Sequence, residues 1–261
     1  MIYKPEKYET RFVARGISNL NALLPADDCD QLGVVPTGDV YFDNTGKGLL
    51  RKEPFSAGPV TVHFDNLDEH LAAYIREADA VVGCMAWLTN PKVLSALQSV
   101  PVQILVQKED FLRPDSARSW SKNRVRKAYE SLNPLWRPEL AKTIGRFCYG
   151  GEGSTDAVRV VGVAPDHKKS ANPRMHHKFF VFLKAVLPEN PNVWMQYVPY
   201  AVWTGSFNAT HNGTRSAENA VMIRDAAIAG AYAREHGPLF GLSETLDWQH
   251  EWVAPEYRLG S

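Results

Sequence analysis

The sequence predicts an α/β chain in which helices pack as a sandwich around a mixed, largely parallel sheet. Three observations carry this. The runs Ala80 to Leu88 and Val102 to Val106 are continuously apolar, as suits strands buried on both faces. A segment opened by Thr89 and Pro91, with Val93, Leu94 and Leu97 at helical spacing, lies between them. The resulting order of strand, helix, strand implies a parallel βαβ unit.

The remaining elements follow along the chain. Residues 1 to 60 are broken by Pro25, Pro36, Gly38, Gly46, Gly48, Pro54, Gly58 and Pro59, and Asp39 to Phe42 is their one clear polar/apolar alternation. Val60 to Phe64 is a short apolar strand. Asp65 and Asn66 then stand where caps belong for a helix carrying Leu67, Leu71, Tyr74 and Ile75. Residues 107–157 change character: Arg113, Arg118, Lys122, Arg124, Arg126, Lys127, Arg137, Lys142 and Arg146 outnumber the acids, with Trp120, Tyr129 and Trp136 among them. This reads as a basic, mostly helical insertion. Val158 to Val163 is a further strand, followed by a polar loop from Asp166 to Arg174. Strands are expected at Phe179 to Leu183, Tyr197 to Thr204 and Val221 to Ile223, and a helix at Ala226 to His236. We read 1–261 as a single domain, with 1–59 an irregular N-terminal extension and 107–157 an insertion.

Composition bounds the function. With 261 residues and 44% hydrophobic content the chain can build a large core. Lys plus Arg and Asp plus Glu both total 29, so any preference for a polyanion must rest on local patches. The first sixteen residues carry charges without an apolar stretch, and no run approaches the roughly 18 apolar residues of a membrane span. Cys29, Cys84 and Cys148 are widely spaced and odd in number, which suits free thiols in a reducing, cytoplasmic setting. His63, His70, His167, His211, His236 and His250 are scattered without metal-ligand spacing, and no cofactor is expected. Trp87, Trp194, Trp203, Trp248 and Trp252 are assigned to the core or a dimer interface.

Three segments concentrate polar chemistry at strand ends: His176-His177-Lys178, Gly205-Ser206-Phe207-Asn208, and Glu218-Asn219. Side chains alternate along a strand, so His176 and Lys178 share a face and His177 takes the other. A nucleophile beside a fixed cation is what phosphodiester cleavage needs, because the ammonium stabilises charge developing on the phosphate oxygens. Asn208 and Ser206 add hydrogen-bonding groups.

The pair His176-x-Lys178 with Gly205-Ser206-x-Asn208 resembles the motif of the phospholipase D superfamily, and Ala78 to Val106 is similar to the strand, helix and strand that precede it. The likeness spans roughly residues 60–255. It implies a phospholipase D-like fold and metal-independent chemistry through a phosphohistidine on His176, with Lys178, Asn208 and Ser206 holding the phosphate and Glu218 orienting His176. One position departs, since Leu183 stands where the family carries an Asp, as in the branch similar to tyrosyl-DNA phosphodiesterase. The separation of His176 from Gly205 is also long, with Pro188 to Asn192 reading as a hairpin insertion. A single motif implies a homodimer whose two histidines flank one phosphorus.

Alone, a His-x-Lys or a Gly-Ser-x-Asn has little diagnostic value; order, spacing and strand context together favour the catalytic reading. The leading function is an endonuclease, on DNA before RNA, with Arg118, Lys122, Arg124, Arg126 and Lys127 contacting the substrate backbone. The alternatives are a lipid phosphodiesterase, which calls for an exposed apolar face near the site, and a catalytically dead nucleic-acid-binding dimer, which Leu183 would suit. No stable membrane association is expected.

Overall fold

The computed structural model describes residues 54–109, 119–135, 156–162, 174–187 and 195–246. Expectations for Asp39 to Phe42, for Arg113, Arg118, Arg137, Lys142 and Arg146, for the Pro188 to Asn192 loop, and for Trp194, Trp248 and Trp252 lie outside these residues, as does the side chain of Lys122.

In chain order the described elements are β1 (Phe55–Ala57), β2 (Val60–His63), α1 (Leu67–Glu77), β3 (Ala80–Met85), α2 (Pro91–Leu97), β4 (Val102–Gln107), α3 (Ser119–Glu130), β5 (Val158–Val161), β6 (Lys178–Val186), β7 (Gln196–Gly205), β8 (Ala220–Ile223), α4 (Ala226–Gly241) and β9 (Glu244–Thr245), with a 3-10 turn at Gly213–Arg215. The strands form one sheet in the order β1-β2-β8-β7-β6-β3-β4-β5-β9. Helices cover both faces. Leu71 and Ile75 of α1, Val93 and Leu97 of α2, and Val125 and Tyr129 of α3 pack with Val81, Met85, Phe180, Phe182 and Trp203. Ala229, Ala233 and Phe240 of α4 pack on the opposite face with Val82, Cys84, Phe179, Val181 and Leu183. Alternate residues of β3 and β6 thus feed different cores, which is why both strands read as unbroken apolar runs.

The expected largely parallel sheet is corrected here. Among the described strands only β3–β4 and β4–β5 pair in parallel; the pairs β1–β2, β2–β8, β3–β6, β5–β9, β6–β7 and β7–β8 are antiparallel. Parallel pairing needs a crossover, and α2 supplies one between β3 and β4. Strands β6 and β7 follow each other directly and return as an antiparallel pair. Burial on both faces makes a strand apolar whatever its direction, so the apolar runs carried no information on polarity. Pro199 fits within β7 because the β6–β7 register shifts at Phe182/Leu183, a bulge at which ladder bonding is interrupted.

Local chemistry sets the helix starts. Asn90 caps α2, its side chain accepting from the backbone N–H groups of Lys92 and Val93 at 2.9 and 3.2 Å and donating to Asp68 at 3.2 Å. Asp225 caps α4 by accepting from Ile228 N–H at 2.9 Å. Asn66 starts α1 from a left-handed conformation, φ 49°, with its carbonyl rather than its side chain receiving Glu69 and His70.

Candidate active site

The register brings the predicted site to one end of the sheet. Met85 at the end of β3 faces Lys178 at the start of β6. Phe179 faces Thr204, and Gly205 at the end of β7 faces Ala220 at the start of β8. The residues flanking these positions are Trp87, His176, Ser206, Asn208 and Glu218, so segments far apart in sequence meet because antiparallel neighbours alternate start and finish.

His176 is exposed and Lys178 half-buried. The Lys178 ammonium lies 3.2 Å from each ring nitrogen of His176 and donates to the His176 carbonyl at 2.9 Å. Trp87 meets the imidazole edge-on with centroids 5.4 Å apart, and Lys178 Nζ stands 5.8 Å from the indole centroid. As strand alternation demands, His177 turns the other way, with Nε2 3.4 Å from Glu235 on α4. Desolvation holds the His176 pKa below its ordinary value, reinforced by the charges of Lys178, Arg174 and His177. Partial burial also lowers Lys178, against the opposing pull of Glu218. The pair therefore presents a neutral imidazole beside an ammonium near neutral pH.

The Gly-Ser-x-Asn turn is held from below. A Cβ on Gly205 would stand 2.3 Å from the Asn219 carbonyl oxygen and 2.7 Å from Ala220 Cα, so the close approach at the end of the β7–β8 pair admits only glycine. Ser206 N–H donates to the Asn219 carbonyl at 3.1 Å, and Asn219 N–H donates to Ser206 Oγ at 3.1 Å. The Ser206 hydroxyl in turn donates to Glu218 Oε2. Phe207 is buried in the core and anchors the turn, which leaves Asn208 lining the cleft. Its Oδ1 is buried, and among the described residues no donor fixes that end of the amide.

Glu218 therefore reaches Ser206, and its charge acts on Lys178; among the described residues no hydrogen bond joins it to His176 within the protomer. Leu183 is fully buried in the α4-side core and paired with Ala80, away from the cleft. Of the basic residues, Arg124 and Lys127 are exposed on α3, and Arg126 pairs with Glu130 at 2.7 Å. Tyr129 Oη donates to the Leu88 carbonyl at 2.6 Å and pins α3 next to the segment that carries Trp87.

Two residues escaped the sequence reading. Gln107 is buried at the end of β4, and its Oε1 accepts the Met175 N–H at 2.8 Å, fixing the backbone one residue before His176. Trp87, assigned above to the core or an interface, is half-buried and lines the cleft, whereas Trp203 is a core residue. The signal for Trp87 was its place at the C-terminal end of an apolar strand, where side chains leave the core. Among the described residues no three His, Cys, Asp or Glu side chains converge as a metal site would require.

Fold and site together define an α/β sandwich with a His-x-Lys pair and a Gly-Ser-x-Asn turn at one end of its sheet. The chain belongs to one family with an uncharacterised protein of Acanthamoeba polyphaga mimivirus. The two are 31% identical over 211 residues, covering 74% of this chain and 69% of that protein. No family model matches. Among solved structures the chain is similar to Nuc, a phospholipase D family member from Salmonella typhimurium, at TM-score 0.43 and 16% identity over 76% of this chain and 100% of that one. It is also similar to NucT from Helicobacter pylori, at TM-score 0.42 and 12% identity over 71% and 98% of the two chains. TrmBL2, an archaeal chromatin protein that binds DNA, matches at TM-score 0.34 and 11% identity over 72% and 54%.

Proposed function

We propose that this protein is a metal-independent phosphodiesterase, an endonuclease that cleaves DNA in preference to RNA. The observation that carries this reading is the Lys178 ammonium held 3.2 Å from both ring nitrogens of His176, at the sheet end shared with Ser206, Asn208 and Glu218. In the proposed reaction a neutral His176 nitrogen attacks phosphorus and the P–O bond to the leaving group breaks, giving a phosphohistidine. Lys178 and the Asn208 amide offset charge on the phosphate oxygens. The site is shared by two chains: the partner's His176 protonates the leaving oxygen, then takes a proton from the water that hydrolyses the phosphohistidine. Glu218 acts within each chain through Ser206 and Lys178. Arg124 and Lys127, exposed on α3, supply backbone contacts on the substrate.

The test is incubation of wild type and His176→Ala with labelled single- and double-stranded DNA, RNA and anionic phospholipid vesicles in excess chelator. Cleavage of DNA by wild type alone is expected. Lipid hydrolysis would replace the proposal with a lipid phosphodiesterase, and an absolute requirement for a divalent ion would contradict the histidine mechanism. A monomer by light scattering at micromolar concentration would remove the shared site. Lys178→Ala should lower the rate on the order of 10²-fold or more, through lost stabilisation of the transition-state charge.

A further inference from the structure

A cleft of about 490 Å³ adjoins the His176–Lys178 pair, walled on one side by Trp87 and Thr89 and on the other by Asn208, Thr210, His211 and Glu218. Its volume falls within the roughly 300–1,000 Å³ of clefts that hold a small organic group. The wall carrying Asn208 is built to stay in place. Gly213 packs so closely beneath it that a Cβ there would stand 2.2 Å from the Asn208 carbonyl oxygen, and Gly213 N–H donates to Thr210 Oγ1 at 3.0 Å. The backbone N–H groups of Thr89 and Asn90 both donate to the Ala209 carbonyl, at 2.7 and 2.8 Å, clamping the two walls together at the base.

Trp87 belongs to both the reacting centre and this cleft. Its ring meets His176 edge-on and stands beside Lys178, while it also lines the adjoining space. A phosphodiester bound against His176 and Lys178 can extend one of its two substituents past the indole. The facing wall carries the Thr210 hydroxyl, the His211 imidazole, the Asn208 amide and the Glu218 carboxylate, polar groups that suit the edges of a planar heterocycle better than an acyl chain.

We propose that this cleft is a nucleoside subsite in which Trp87 is the stacking platform for the base next to the scissile phosphate. The inference rests on the phosphodiesterase reading above and names the substrate group that the site selects. Stacking is tolerant of base identity because every base has a π-face, so the subsite confers a preference for nucleotides over simple phosphodiesters and little sequence preference.

The experiment compares two chromogenic diesters that share a leaving group, thymidine 5′-(p-nitrophenyl phosphate) and methyl p-nitrophenyl phosphate. Full-length wild type, Trp87→Ala and Trp87→Phe are assayed on both, with folding checked by circular dichroism. On Trp87→Ala, kcat/KM for the nucleoside ester should fall about tenfold to a hundredfold further than for the methyl ester, mainly through KM. Trp87→Phe, which keeps an aromatic face, should recover most of that difference. Equal losses on the two esters would show that Trp87 only supports the His176–Lys178 pair and would overturn the subsite. So would an unchanged ratio in a fully active variant. Failure of wild type to turn over either ester would instead sink the phosphodiesterase reading, and the subsite with it.

Discussion

Replacing Gln107 with Leu tests how the proposed nucleophile, His176, is held. The side chain is buried, accepts the Met175 N–H at 2.8 Å and donates to the Lys108 carbonyl at 3.1 Å. Leucine has nearly the same volume and neither polar group. Met175 is itself buried, so its N–H would lose its acceptor with no route to water. An orphaned buried donor costs about 1–3 kcal/mol, and loss of the second bond about 1 kcal/mol more, for a total of roughly 2–4 kcal/mol. Against a typical stability of about 5–15 kcal/mol the variant should still fold. Because His176 follows Met175 directly, relaxation of that backbone moves the imidazole, and a displacement of about 1 Å can cost on the order of 10²-fold in rate. The expected result is a lower urea midpoint by chemical denaturation, and a kcat reduced on the order of 10²-fold at nearly constant KM. A variant matching wild type in both stability and kcat would refute the assignment of Gln107 as a positioning residue.

Three further predictions follow from the same coordinates. By NMR, His176 should titrate below its ordinary 6.5; because the proposed reaction uses one neutral and one protonated His176, activity should peak around that depressed pKa and fall on either side of it. In Lys178→Met the midpoint should rise but stay below 6.5, since desolvation, the larger cause, remains; an unchanged or lower midpoint would contradict the proposed coupling. His63 is buried among His70, Tyr74 and Trp203, and burial lowers its pKa from 6.5 to about 4. The unfolded chain then binds the proton more readily, so folding stability should be intact above pH 6.5 and decline toward pH 4. The loss is about 3 kcal/mol, and denaturant melts of His63→Gln should lack that component. Leu183→Asp restores the acid of the phospholipase D motif at a fully buried position in the α4-side core. It should destabilise the protein on the order of 3–5 kcal/mol by burying an unpaired carboxylate, without raising activity; a more active, equally stable variant would show that Leu183 impairs the site.

Element positions were legible where periodicity and burial coincide. Each residue of β3 from Ala80 to Met85 is buried, and the two cores it feeds leave no polar position to blur the pattern. The α1 helix was readable from Leu67, Leu71 and Ile75, which all lie on the buried face. By contrast β1, with three exposed residues, and β9, with two residues, have no apolar signature of their own and exist through pairing with β2 and β5. Strand direction was illegible for a related reason. An apolar run reports burial on both faces, whereas direction depends on whether the connection crosses over or turns back.

The sequence by itself determined the candidate chemistry. The order and spacing of His176-x-Lys178 and Gly205-Ser206-x-Asn208 name a candidate nucleophile, a cation and a hydrogen-bonding turn, because strand alternation alone puts His176 and Lys178 on one face. Only the tertiary structure decided what surrounds them. Gln107 anchoring Met175 and Trp87 opening onto a cleft with Asn208 join segments distant in the chain, and Glu218 turns to Ser206 across the β7–β8 pair. Such partners are chosen by sheet register, which depends on how β3, β4, β6, β7 and β8 pair and on no property of any one segment.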